Sequence, residues 1–149
     1  AVKLCSNHRV VCASPDYLRK HGIPRTLKDL GQHNCLTFNL QGGQQRGWHF
    51  RENNKTVIVR TSGNLDCNDG ELLHRWCLEG FGLAWRSTWE IQSELASGKL
   101  VTVLDDYALP NYDIMAVYPQ QLYLPLKTRL FIDQLKTIYA EPDYWTKPY

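Results

Sequence analysis

The sequence has no apolar run near the roughly 18 residues that a membrane-spanning helix needs, and its first residues lack the apolar core of a secretory signal. It also has no dense basic cluster, because 17 lysines and arginines are spread along 149 residues against 15 acidic residues. A nucleic-acid-binding domain usually carries a basic face. We therefore expect a cytoplasmic segment that binds neither a membrane nor DNA by itself.

Metal-binding patterns are absent as well. The five cysteines and five histidines form no C-x-x-C or H-x-x-x-H pair, and most of the cysteines stand in or beside apolar segments. An odd number of widely spaced cysteines is typical of free thiols in a reducing compartment. We predict free thiols, no metal site and no cofactor.

Signatures of catalysis are missing too. The chain has no G-x-S-x-G elbow and no glycine-rich phosphate loop. Gly80 and Gly82 follow a predicted helix instead of preceding one, which excludes a dinucleotide-binding fingerprint. We predict that the chain is not an enzyme.

What the sequence does contain is an alternation of strand and helix patterns. Short apolar runs predict strands at 10–13, 35–38, 48–50, 56–62, 82–85, 99–104 and 114–118. Capped, amphipathic stretches predict helices at 14–22, 26–30, 69–79, 87–98 and after Pro125. The alternation predicts an α/β fold with a central mixed, largely parallel sheet. A polar, glycine-containing stretch at 39–47 predicts a loop.

Three predicted helices begin directly after a strand. These junctions are Ser14-Pro15, Asn68-Asp69 and Arg86-Ser87. In open α/β sheets, ligands bind outside the carboxyl ends of the strands, where helix N-termini present free N–H groups to anions. The junctions are therefore candidate binding positions.

The sequence around these junctions resembles the effector-binding domain of LysR-type transcriptional regulators. The segment VVCASPDYLRKHGIPRTLKDLGQHNCLTF matches S-P-x-Y-L, G-x-P and D-L…H-x-C-L, in that order. The pattern N-D-G…G-x-G-x-A…W…L-A-x-G-x-L-V-x-V-L follows, and AVYPQQLYLPLKTRLFIDQLK looks like the last strand and helix of the family. The resemblance covers about residues 9 to 139.

The resemblance implies a periplasmic-binding-protein-like lobe. Residues 10–111 would form the second lobe of an effector-binding domain, 112–140 a return segment of the first lobe, and 141–149 a tail. The winged helix, the linker helix and the early first lobe of the family have no counterpart in the sequence. The return segment would therefore lack its usual sheet partners.

The implied function is to sense a small molecule in a cleft between lobes and so bias the geometry of a DNA-binding domain. A carboxylate is one candidate effector. DNA would be contacted only through the absent helix-turn-helix, and self-association would involve the helix at 87–97. A transport-type solute-binding protein of the same fold class is the alternative.

The junctions and the resemblance together give the candidate effector-binding residues Ser14, Pro15, Phe38, Asn68, Asp69, Gly70 and Arg86. Each has a purely structural alternative. Asn68 is the expected cap of its helix, with Asp69 pointing at that same helix. For Ser14 and Pro15 the structural alternative is a strand-to-helix turn with no ligand contact. For Phe38, as for Trp48, it is a position in the hydrophobic core. Arg86 can pair with an acidic effector or lie on the surface.

Overall fold

The computed structural model describes residues 1–39, 47–119 and 124–144. Its strands are β1 (Val2–Cys5), β2 (Arg9–Ala13), β3 (Cys35–Phe38), β4 (Trp48–Glu52), β5 (Lys55–Val59), β6 (Asp66–Cys67), β7 (Leu83–Ser87), β8 (Val101–Val103) and β9 (Ile114–Ala116). Its helices are α1 (Pro15–His21), α2 (Gly70–Leu78), α3 (Thr88–Ser97) and α4 (Leu126–Tyr139), with 3-10 turns at Leu27–Gln32 and Asp105–Tyr107. Most of the loop predicted at 39–47 and the end of the tail predicted at 141–149 lie outside the described residues.

The centre of the molecule is a mixed five-stranded sheet with the strand order β6-β3-β7-β2-β8. Strand β3 pairs in parallel with both β6 and β7. Strand β2 pairs antiparallel with β7 and β8. Four strands therefore share one direction and β2 opposes them, which confirms the predicted mixed, largely parallel sheet.

Both faces of this sheet are covered, because neighbouring positions of a strand point to opposite sides. Val11 belongs to a buried cluster with α1 and the β4–β5 hairpin, which we call the hairpin face. Its neighbour Cys12 belongs to a second buried cluster with α2 and α3, which we call the helix face. The core thus consists of two layers separated by the sheet.

Local capping signals fix the ends of α1 and α3. The hydroxyl of Ser14 accepts a hydrogen bond from the Tyr17 N–H at 3.3 Å, and α1 stops at Gly22 with φ of 84°. Ser87 and Glu90 form a capping box at the start of α3, which ends at Gly98. The predicted boundaries of both helices are confirmed.

Helix α2 starts one residue later than predicted. The Asp69 carboxylate caps it by accepting from the N–H groups of Glu71 at 2.8 Å and Leu72 at 3.1 Å. The expectation that Asp69 points at its own helix is confirmed, and the prediction that Asn68 is the cap is wrong. Asn68 lies one residue too early, because a cap must stand directly before the first helical residue.

The helical spacing of Leu72, Leu73, Trp76 and Cys77 predicts that all four form one apolar face of α2, and the structure corrects this. Leu73 and Cys77 are buried, whereas Leu72 is 36% exposed. Residues four apart lie above one another on a helix, so burying Leu73 and Cys77 turns Leu72 aside. The prediction that Leu72 belongs to the apolar face is therefore wrong.

A second, smaller unit consists of β1, β9 and α4, which we call the crossover unit. Strands β1 and β9 pair antiparallel, with Lys3 opposite Met115, and α4 contacts β1. The amine of Lys3 also lies 2.8 Å from the Asp113 carboxylate. Strand β1 was not predicted from the sequence, and its pairing with β9 corrects the prediction that the return segment lacks sheet partners.

None of the helices in the described part of the chain has the length and hydrophobicity that a bilayer crossing requires. All five cysteines are free, as predicted, and Cys12, Cys35 and Cys77 are buried. Burial raises the pKa of the Cys35 thiol to about 12.

Candidate functional site

The sheet has a crevice between β3 and β7. These parallel neighbours pair at Cys35–Leu83 and Leu36–Ala84, and β3 then continues by pairing with β6 up to Phe38. The next element after β3 is the hairpin on one face, while β7 leads into α3 on the other. Ligands in open α/β sheets bind where adjacent strands diverge in this way, at their carboxyl ends.

A cavity of about 320 Å³ lies at this position. Ligand pockets usually start at roughly 300 Å³, so it suits a small molecule. Both faces of the sheet contribute to its wall. The lining residues are Arg9, Leu36, Phe38, Gly47, Trp48, His49, Leu73, Trp85 and Tyr112. The wall is therefore largely aromatic and aliphatic, with one permanent cation.

That cation is Arg9, at the start of β2. Its guanidinium carbon lies 4.6 Å from the Trp85 ring centroid and 5.2 Å from that of Tyr112. Such stacking stabilises a cation without neutralising it. Within the described ranges no carboxylate pairs with Arg9, and its buried Nε has no hydrogen-bond partner. The guanidinium therefore has no anionic partner in this part of the structure, and a carboxylate entering the cavity would gain a charge-assisted hydrogen bond to its N–H groups.

The rings around Arg9 support one another. The edge of Tyr112 meets Trp85 at a centroid distance of 5.7 Å. The His49 ring lies against Trp85 at the same distance of 5.7 Å. Because these rings come from β4, β7 and the segment before β9, three separate parts of the chain fix the position of the guanidinium.

Of the predicted site residues, only Phe38 lines the cavity directly, and it is 41% exposed. Asn68, Asp69 and Gly70 begin α2 one turn before Leu73, which is part of the cavity wall. They follow β6, so they lie at the same sheet edge as the end of β3.

Arg86 is the predicted residue that the structure connects to the start of α2. It is 9% exposed, so the alternative of a surface position is wrong. Its Nη2 lies 3.3 Å from the Glu90 carboxylate, and a side chain at Gly70 would begin 3.5 Å from its guanidinium. The buried Nε of Arg86 has no partner among the described residues.

Ser14 and Pro15 lie at the other end of the sheet. Because β2 runs against β3, β6 and β7, its carboxyl end faces their amino ends. The Ser14 hydroxyl is 3.2 Å from the Cβ position of Gly80, in the turn that precedes β7. The three junctions of the sequence analysis therefore do not share one edge, and the structure brings together only those at Asn68 and Arg86.

Four residues of the cavity wall were not predicted from the sequence as site residues: Arg9, His49, Trp85 and Tyr112. One signal for Arg9 was available. It stands two positions before Val11, so strand alternation places it on the same face as a core residue. The ring of Tyr112 reaches the cavity from a loop that lies more than 100 positions after Arg9 in the sequence. No local sequence pattern predicts that contact.

No group of three or more histidine, cysteine or acidic residues in the described part of the chain is arranged to hold a metal ion. The chemistry of the site is therefore that of one stacked arginine among rings, beside a capped helix start.

A mixed α/β lobe with a cavity at the carboxyl edge of its sheet, joined to a smaller unit by two chain crossings, defines a periplasmic-binding-protein-like regulatory domain. The family model described as the LysR substrate binding domain matches residues 1–140. The chain belongs to this family, and the match extends the resemblance found in the sequence to include β1.

Curated relatives are regulators of the same type. The chain is 37% identical over 141 residues to the HTH-type transcriptional regulator DmlR of Escherichia coli K12, covering 95% of this chain and 46% of that protein. It is 38% identical over 132 residues to the transcriptional activator TtdR of the same strain, covering 89% of this chain and 42% of that protein. The chain thus spans less than half the length of these relatives.

Solved structures share the fold. The regulatory domain of CrgA, a LysR-type regulator from Neisseria meningitidis, superposes with a TM-score of 0.74 at 29% identity, covering 91% of this chain and 66% of that chain. Full-length AphB, a virulence activator of Vibrio cholerae, gives 0.73 at 27% identity, covering 91% of this chain and 46% of that chain. The chain corresponds to the substrate-binding part of such regulators and not to their DNA-binding part.

Proposed function

We propose that this chain senses a small carboxylate for a LysR-type transcriptional regulator and binds it in the cavity between β3 and β7. The observation that carries this proposal is Arg9, a permanent cation in the cavity wall that contacts aromatic rings and pairs with no described carboxylate. A guanidinium fork matches a carboxylate in geometry and charge.

The rest of the wall favours a ligand with an apolar body. Trp48, Trp85 and Tyr112 offer ring surface, and Leu36 and Leu73 add aliphatic surface. A carboxylate on Arg9 would leave the remainder of the ligand against these groups. With about 320 Å³ available, the ligand is expected to be no larger than a single ring or a short chain.

The start of α2 is a further part of this proposal. Asp69 occupies the N–H groups of Glu71 and Leu72, so a ligand at this edge would instead meet Gly70 and the Nη atoms of Arg86 beside it. Phe38 would close the cavity on the same side. We leave Ser14 and Pro15 out of the proposed site because they lie at the opposite edge.

We propose the following regulatory arrangement. Residues 10–111 act as one lobe, and 112–140, paired with β1, belong to the other. The ligand biases the position of one lobe against the other, which needs a coupling of only about 1–3 kcal/mol. Subunits associate through α3, DNA is bound by another part of the regulator, and the protein works in the cytoplasm without enzymatic activity.

The proposal is tested by calorimetry and thermal melts of the chain with benzoate and succinate, and with their neutral amides as controls. We expect at least one acid to bind and neither amide. Arg9→Gln should weaken binding at least tenfold, because a charge-assisted hydrogen bond contributes about 1.5–3 kcal/mol. Arg51→Gln, on the exposed part of β4, is the matched control and should bind like the parent.

Binding of the amides as tightly as the acids, or unchanged binding by Arg9→Gln, would contradict the carboxylate assignment. The sequence encoded upstream of this chain distinguishes the regulator from the alternative, a transport-type solute-binding protein. A helix-turn-helix encoded about 150 residues upstream supports the regulator, since this chain covers only 46% of the length of DmlR, and a secretory signal supports a solute-binding protein.

A further inference from the structure

Two chain connections join the crossover unit to the five-stranded sheet, and they meet at Asn7. Residues 6–8 link β1 to β2, and residues 108–113 lead into β9. Asn7 is 4% exposed. Its backbone carbonyl accepts from the Tyr112 N–H at 3.0 Å, so the two connections are tied together at this point.

The Asn7 side chain adds three further bonds. Its Nδ2 donates to the Tyr112 carbonyl at 3.0 Å and to the Ser87 hydroxyl at 3.3 Å. Its Oδ1 accepts from the Thr88 hydroxyl at 3.1 Å. A carboxamide has both donors and an acceptor, whereas aspartate would lose both donations at unchanged size. Asn7 therefore ties both connections to the start of α3.

The hydrogen bonds of Asn7 join a residue of the cavity wall to the start of α3. The Tyr112 ring lines the cavity and contacts Trp85 and the Arg9 guanidinium. At the other end, Ser87 caps α3, and its N–H donates to Glu90, the carboxylate that pairs with Arg86. One buried side chain thus stands between the cavity wall and the first turn of α3.

We propose that Asn7 is the positioning residue through which occupation of the cavity sets the crossover unit against α3. This rests on the proposed ligand site. A carboxylate bound to the N–H groups of Arg9 draws the guanidinium away from its place over the Tyr112 ring, so the ring and the Tyr112 backbone shift with it. Asn7 carries that shift to Ser87 and Thr88, because its amide cannot keep all three bonds if one partner moves.

The first test needs no ligand. Hydrogen exchange is measured on the full chain for the parent, Asn7→Ala, Asn7→Asp and the control Asn34→Ala. Asn34 also joins separate segments through its amide, at 2.7 Å to Asn64 Oδ1 and 2.6 Å to the Phe81 carbonyl, but all of them belong to the sheet unit.

Both Asn7 variants are expected to raise the amide exchange rates of β1, β9 and α4 together by about tenfold or more. The reason is that each variant loses hydrogen bonds of a buried side chain that joins the crossover unit to the sheet. The Asn34 variant should raise exchange only near residues 34, 64 and 81. If the Asn7 variants change exchange only at residues 87, 88 and 112, Asn7 has a local structural role and the proposal is overturned.

The second test uses benzoate or succinate, whichever binds the parent. Saturating probe should change exchange in α3 and in the crossover unit of the parent. In Asn7→Ala the probe should still bind with affinity within about threefold, since Asn7 does not line the cavity, but α3 should no longer respond. A normal α3 response in Asn7→Ala overturns the proposal. If neither probe binds the parent, the ligand assignment fails, and the first test alone decides whether Asn7 couples the two units.

Discussion

Removal of the α2 cap offers a direct comparison between two adjacent residues. Asp69→Ala deletes the carboxylate that accepts from the N–H groups of Glu71 and Leu72, at 2.8 and 3.1 Å. Asn68→Ala changes the neighbouring residue, whose side chain has no capping bond in α2. Both positions are exposed, so neither change leaves a cavity, and any difference between them reports capping.

The expected magnitude follows from the two bonds that are lost. Replacing a capping Asp by Ala costs about 0.5–2 kcal/mol. Near 150 residues, 1 kcal/mol shifts Tm by roughly 2–4 °C, so Asp69→Ala should melt about 1–8 °C below the parent. Asn68→Ala should stay within about 0.5 kcal/mol. Asp69→Asn should lie close to the parent, because Asn caps helices as well as Asp does.

Urea unfolding followed by far-UV circular dichroism measures these differences, with an unchanged m-value as the condition for comparing midpoints. Equal destabilisation by Asn68→Ala and Asp69→Ala would refute the assignment of Asp69 as the cap. A large loss in Asp69→Asn would show that charge at the helix N-terminus contributes more than the two hydrogen bonds.

Three further outcomes are expected. Gly70→Leu should keep the parent's stability, since leucine favours helices, but it should weaken carboxylate binding about tenfold by crowding Arg86; unchanged affinity would remove the α2 start from the site. The Cys35 thiol, buried and with its pKa raised to about 12, should react with DTNB at pH 8 only as the protein unfolds, and long after Cys67; comparable rates would contradict the burial. Desolvation lowers the pKa of His33 below its ordinary 6.5, so the unfolded chain takes up the proton more readily than the folded chain. The free energy of unfolding should therefore decrease as the pH is lowered from about 7.5 to about 5.5. His33→Gln should flatten that fall, and an unchanged slope would assign it to another group.

Features of the fold that depend on local signals were predictable from the sequence. Ser14 and Gly22 bracket α1, and Ser87 and Gly98 bracket α3, because a hydroxyl cap and a positive φ each act within a few residues. The polar residues 52–55 between two predicted strands likewise predict a turn, and there Asn53 and Asn54 have φ of 51° and 60°. Asparagine tolerates this left-handed region better than most residues.

Features that depend on pairing across long distances were not predictable. Strand β1 has only four residues and is held by β9, more than 100 positions away. The direction of β2 is likewise set by its antiparallel neighbours β7 and β8. Nothing in V-V-C-A distinguishes a parallel from an antiparallel strand, so the sequence grouped Ser14 with junctions that the fold places at the opposite edge.

The two arginines explain why the candidate site could be only half predicted. Arg86 could be predicted as a site residue because it stands directly before the capping box of α3. Arg9 could not, because it begins a strand and no helix start lies beside it in the sequence. In the sheet they are nearly opposite one another, since Arg9 pairs with Ser87 and Val10 with Arg86. Strand alternation then sends Arg9 to the hairpin face and Arg86 to the helix face. The two unsatisfied Nε atoms thus belong to opposite faces of one edge, and only the divergence of β3 from β7 opens a cavity that residues of both faces line.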